Sequence, residues 1–193
     1  MKRRDLMTIG GISAAAGLVA SSPVRASAPT GTHAVWVHGN TTVAENPRVF
    51  QDIRPRGWGT HFFAAGTKQW LHISIPTPVI VENNRMRLLQ GWILYKSTNC
   101  DFGWTHLYDG AQKWFEVINA KWGPGDYTVG LHVANQFYEA VGTTHRMFYG
   151  LSVSFEVEFP PSGGELLIAG AGADFVPYDQ GYPASTPVPE DSH

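Results

Sequence analysis

With 193 residues, 43% of them hydrophobic and 16% charged, the chain can build one domain with a sizeable core and needs no disulfide to hold it. The first 28 residues carry four of the 14 basic side chains and one of the 16 acidic ones, so the formal charge of −2 becomes −5 beyond them. No basic run remains there, which argues against nucleic acid or an anionic membrane surface as a partner.

Met1 to Ala28 has the layout of a twin-arginine export signal. Lys2-Arg3-Arg4 precede an uncharged stretch from Leu6 to Ala20, and Ala26-Ser27-Ala28 forms a small-x-small cleavage site. The uncharged stretch is shorter than the ~20 residues that a membrane-spanning helix requires. Signals of this kind are read by a receptor and do not anchor the chain. The pattern predicts recognition by the twin-arginine (Tat) export machinery and cleavage after Ala28. The product would be periplasmic or secreted, with no stable membrane insertion. Leu6 and Met7 stand where Phe-Leu is commonest, and Thr8 stands in place of a lysine.

Beyond the signal the hydrophobic period is two. Short strands are predicted over Ala34 to His38 and Gly59 to Ala65. In Gln69 to Ile75, Leu71, Ile73 and Ile75 oppose Trp70, His72 and Ser74. Val79 to Glu82 follows the Pro76-Thr77-Pro78 turn. Arg85 to Lys96 reads as a strand buried on both faces, with Leu89, Ile93 and Tyr95 on one and Leu88, Trp92 and Leu94 on the other. Gly103 to Asp109 alternates Trp104, His106 and Tyr108 with Thr105 and Leu107. Asp109-Gly110 is a hairpin signal, from which Gln112 to Ile118 returns. Tyr127 to Gln136 sets Val129, Leu131 and Val133 against Thr128, His132 and Ala134. The longest alternation places Met147, Tyr149, Leu151, Val153, Phe155, Val157 and Phe159 on a buried face. Arg146, Ser152, Ser154, Glu156 and Glu158 form its wet face, until Pro160-Pro161 stops the strand. Glu165 to Ile168 and Ala173 to Val176 complete the set. Many short strands separated by Gly, Pro and Asn predict an all-β, antiparallel β-sandwich of jelly-roll or Greek-key type. Val176 to His193 holds four prolines and little apolar pattern, so the expected organisation is a signal over 1–28, the sandwich over 29–176 and a mobile tail over 177–193.

Established catalytic motifs are missing: no phosphate loop before a helix, no His-Glu-x-x-His, no paired CxxC, no nucleophile elbow. Gly170-Ala171-Gly172 has no helix after it and predicts a bend or bulge. Cys100, the only cysteine, sits in a turn with no cation beside it to favour a thiolate. Aromatic and histidine residues stand out instead. Trp70 and His72, then Trp104, His106 and Tyr108, then Trp114 and Glu116, then His132 and Gln136 share the non-core phase of their strands. Brought into register, they would present flat rings among polar groups. That composition suits carbohydrate or another small polar-apolar ligand, so Trp70, His72, Trp104, His106 and Tyr108 form the candidate binding set.

No cofactor is implied by any motif. A metal-dependent enzyme is the alternative, with His72, His106 and His132 drawn from separate strands. A third possibility is an interaction module for another envelope protein. Among the acids, Glu116 is the single candidate whose pKa burial would raise, while Glu156 and Glu158 read as solvated surface. The segments His33 to Gly39, Ile75 to Val81 and Ala173 to Phe175 resemble a bacterial family of exported β-sandwich domains of unknown function. The resemblance covers most of 33–176 and implies a single β domain. It brings no catalytic residue, but it marks His33, Trp36 and His38 as positions to mutate.

Overall fold

Nine alternating residues from Leu151 to Phe159 form the middle strand of a sheet, and every residue of their apolar phase is buried. The computed structural model describes residues 29–118, 122–140 and 145–178. In chain order the strands are β1 (His33–His38), β2 (Val43–Ala44), β3 (Asp52–Arg56), β4 (Gly59–Ala64), β5 (Thr67–Ile75), β6 (Ile80–Val81) and β7 (Asn84–Thr98). They continue as β8 (Asp101–Asp109), β9 (Gln112–Ile118), β10 (Gly125–Tyr127), β11 (Gln136–Glu139), β12 (Leu151–Phe159) and β13 (Gly164–Pro177). The helical elements among the described residues are three single 3-10 turns, so none is long and apolar enough to cross a membrane.

The strands make two antiparallel sheets. One has the order β10-β7-β13-β4-β3; β1 pairs with the distal half of β13, and β6 and β11 pair with β7. The other has the order β2-β5-β12-β8-β9. Their inner faces share one core. Tyr95 of β7 meets Phe102 of β8 with ring centroids 4.9 Å apart, and Trp122 packs on Phe102, Phe155 and Tyr95. Phe50 bridges Phe62 of the first sheet and Phe159 of the second. The chain crosses between sheets at Asn99-Cys100, where Asn99 adopts φ 56° and its amide reaches Ser162 and Gly163. Cys100 is buried at this corner, and burial pushes its thiol up to about 11.

The all-β, two-sheet architecture agrees with the alternation, and the departures cluster at bulges and loops. Leu88, not Leu89, faces the core, because the pairing of β7 with β13 slips at Asp174/Phe175. A second slip at Ile168/Gly170 makes the Gly170 segment a bulge inside one long strand, so two predicted strands are joined. Tyr127 to Gln136 is not a strand. Asn135, fully buried, accepts a hydrogen bond from the His132 N–H and donates to the carbonyls of Tyr127 and Gly130, holding that stretch as a loop. Val129, Leu131 and Val133 are therefore exposed. The strand expected from His145 begins only at Leu151: Met147 is buried, but Tyr149 is 78% exposed. At the other end β13 continues through Val176 and Pro177, and Tyr178 donates its N–H to the Arg85 carbonyl. The expected signal and the tail beyond Tyr178 lie outside the described residues.

Candidate functional site

The outer face of the second sheet is organised in cross-strand rows. Antiparallel register places Val43, His72, Ser154, His106 and Glu116 side by side across β2, β5, β12, β8 and β9. One row away, Trp70 pairs with Glu156, which faces the bulge formed by Gly103 and Trp104 on β8. On the other side, Ser74, Ser152, Tyr108 and Lys113 line up. Side chains in such rows stand within reach of one another, and that proximity is the unit of interaction on a sheet.

All five residues of the candidate set lie on this face. His106 is the hub. Its ring is 4.6 Å from Trp70, 6.4 Å from Trp104 and 6.3 Å from Tyr108, centroid to centroid. Trp104 is 40% exposed, so one broad ring surface remains open to solvent. His72 Nδ1 and Ser154 Oγ are 2.8 Å apart, and His72 Nε2 lies 3.6 Å from Glu45. His106 Nε2 lies 3.7 Å from Glu116. Burial holds the His106 pKa below its usual value, with Lys113 adding to the effect and outweighing the opposing pull of Glu116 and Glu156. His106 is thus neutral near pH 7 and can offer the ligand one donor or one acceptor nitrogen.

Other expected members of the face stand elsewhere. Trp114 was expected outward beside Glu116. A bulge between Leu107/Tyr108 and their partners turns it inward instead, where it stacks on His145 at 4.4 Å and packs against Tyr138. Glu116 is not buried. Its hydrogen bond from Lys113 lowers its pKa, the opposite of the expected rise. His132 and Gln136 belong to the β10–β11 region against β7, where the His132 ring meets Tyr127. His72 and His106 therefore share a face that His132 does not. Among the described residues no group of three or more His, Cys, Asp or Glu side chains could hold a metal ion. Trp36 is 42% exposed and lies over Gly172, and His38 accepts a hydrogen bond from the Asn40 N–H; both belong to β1 of the first sheet and not to the face of the ring cluster.

Two residues of the face were misread as plain wet surface. Ser154 is 5% exposed beneath His72, and the Glu156 side chain is only 14% exposed between the tryptophans. Their sequence signal is the alternation itself, which puts them in the phase of the aromatic rows. A glycine before Trp104 inside a strand is the mark of the bulge that covers Glu156. Comparison of the chain with protein-family models, with curated proteins and with solved structures finds no match to any of them.

Proposed function

We propose that this is a Tat-exported β-sandwich protein of the periplasm or the extracellular medium, and that it binds carbohydrate on the outer face of its second sheet. The observation that carries the reading is the contiguity of Trp70, His106, Trp104 and Tyr108 around one hub ring, rimmed by Glu45, Glu116, Glu156, Lys68 and Lys113. Flat rings take the apolar faces of a pyranose, and the charged groups around them take its hydroxyls. A core role accounts less well for Trp104, which contributes a large exposed ring to a face that already has a full core behind it.

The test is a glycan array probed with labelled chain starting at Pro29. Hits should be titrated with wild type, Trp104→Ala and Trp70→Ala. Stacking residues of this kind dominate binding, so each variant should weaken a true ligand roughly tenfold or more. An array without hits, or hits that both variants retain, would refute the proposal.

A further inference from the structure

Glu156 is the most covered of the four glutamates on this face. Its side chain is 14% exposed, against 57% for Glu158, 51% for Glu116 and 63% for Glu45. It pairs across the sheet with Trp70 and faces the Gly103–Trp104 bulge. Gly103 makes room for it, since a Cβ at that position would lie 2.1 Å from Glu156 Oε2. Among the described residues the carboxylate accepts no hydrogen bond. Its cationic neighbour, Lys68, stands 3.8 Å away, is half exposed and is bound at 3.1 Å to Glu158. Burial holds the pKa of His106 beside it below the usual 6.5, so near pH 7 that ring does not offset its charge.

A carboxylate covered this far is costly unless something pairs with it. The indoles of Trp70, its cross-strand partner, and of Trp104, in the bulge opposite, attract a cation through their ring quadrupoles. Carboxylate and rings therefore favour the same partner, a small organic ammonium presented along the ring surface. Neutral hydroxyls would satisfy the rings and leave this covered carboxylate with only the Lys68 that it shares with Glu158.

Resting on the carbohydrate reading, we propose that Glu156 makes this face selective for amino sugars with a free, protonated amine, over their N-acetylated and neutral counterparts. The pyranose lies on Trp70 and Trp104, and its ammonium donates to the Glu156 carboxylate. Acetylation removes the charge and adds bulk where the carboxylate stands.

Three tetrasaccharides of one linkage separate the possibilities: β-1,4-linked glucosamine, β-1,4-linked N-acetylglucosamine and β-1,4-linked glucose. Each is titrated into the chain starting at Pro29 by calorimetry at about pH 6, where such amines carry their proton. The glucosamine tetramer should bind about tenfold tighter than the other two, a preference of about 1.4 kcal/mol. Glu156→Gln, nearly isosteric but uncharged, should abolish the preference, so that the glucosamine and glucose tetramers bind that variant within about twofold of each other. Gly103→Ala, which displaces the carboxylate without removing it, should do the same, and circular dichroism checks that both variants fold. Equal binding of the three sugars, or a preference that survives Glu156→Gln, overturns the inference and leaves the carbohydrate reading standing. Failure of all three to bind also overturns it, and the glycan array then decides separately whether the carbohydrate reading falls too.

Discussion

Replacing Asp109 by alanine removes the acceptor of four hydrogen bonds at once. The residue ends β8, and its side chain is 2% exposed. Oδ1 accepts from the backbone N–H groups of Tyr149 at 2.8 Å and Gly150 at 2.9 Å. Oδ2 accepts from the Phe148 N–H at 2.8 Å and pairs with His145 Nε2 at 3.0 Å. The segment it holds leads directly into β12, whose first residue, Leu151, pairs with Asp109. Asp109 therefore sets the register of β12 on β8, the strand pair that carries Ser154, Glu156, Trp104 and His106. Burial is the largest influence on its carboxyl and raises the pKa, but the three amides and His145 together outweigh it and leave the pKa below the ordinary value of 3.8.

Each hydrogen bond to a charged acceptor contributes roughly 1.5–3 kcal/mol net, and bonds sharing one carboxylate do not add. Water can replace part of the loss, because Tyr149 is 78% exposed. The expected cost of Asp109→Ala is therefore about 3–4 kcal/mol, in the range for breaking a buried charged network. Asp109→Asn keeps one oxygen for two of the donors but sets an amide NH₂ against the others, and should cost about 2–3 kcal/mol. Urea unfolding followed by tryptophan fluorescence reads this as a lower midpoint at unchanged slope. Because the folded pKa lies below the unfolded one, the contribution is complete above the unfolded value and is lost as pH falls through the folded value. Wild type should accordingly show an acid limb that Asp109→Asn lacks. A loss below about 1 kcal/mol for Asp109→Ala would refute the view that this carboxylate holds the turn.

Cys100, with its thiol pushed up to about 11, should resist alkylation by iodoacetamide in the folded protein and react fully in urea; mass spectrometry showing rapid labelling without denaturant would contradict its burial. A Cβ at Gly91 would meet the Phe137 ring at 2.1 Å, so Gly91→Ala should destabilise the first sheet by about 1–3 kcal/mol, and an unchanged urea midpoint would show that the ring moves aside freely. His106 has a folded pKa below its ordinary value of 6.5, so protons bind the unfolded chain better and stability should decline as pH falls from that value toward the folded one. His106→Gln should flatten that limb in urea midpoints measured across it, and an equal decline in the variant would point to another group.

Alternation alone was enough to find the outward phase of β5, β8 and β12, because each keeps it unbroken over the residues that face outward. Trp70, His72, His106 and Tyr108 could be grouped on that basis, and register then aligned them. What alternation could not reveal was every place where the phase breaks. Trp114 and Leu89 each lie at such a break, and each was assigned to the wrong face, while Tyr149, expected in the core, precedes the strand. A slip of one residue exchanges core and surface for everything after it, and a single sequence carries no mark of where the extra residue falls except an occasional glycine. The Tyr127 to Gln136 loop failed differently. Its apolar residues mimic a strand, while the Asn135 side chain captures the backbone groups that a neighbouring strand would have used.

The bulge at Gly103–Trp104 joins these two themes, since the same defect that obscures the pattern builds the site. Were the same residues in regular alternation, with no bulge, Phe102 and Trp104 would share one face, and Trp104 would enter the core with Thr105 turned outward. With the bulge, Phe102 and Thr105 are both buried while Trp104 joins His106 and Tyr108 outside. The inserted position carries no side chain, and the Glu156 carboxylate occupies the space that one would have filled. The bulge thus keeps a tryptophan on the outer face despite the extra residue, and its glycine gives a covered carboxylate its place beside it. A regular strand could supply either feature by substitution, but it could not set both against the same two residues of β12 and β5.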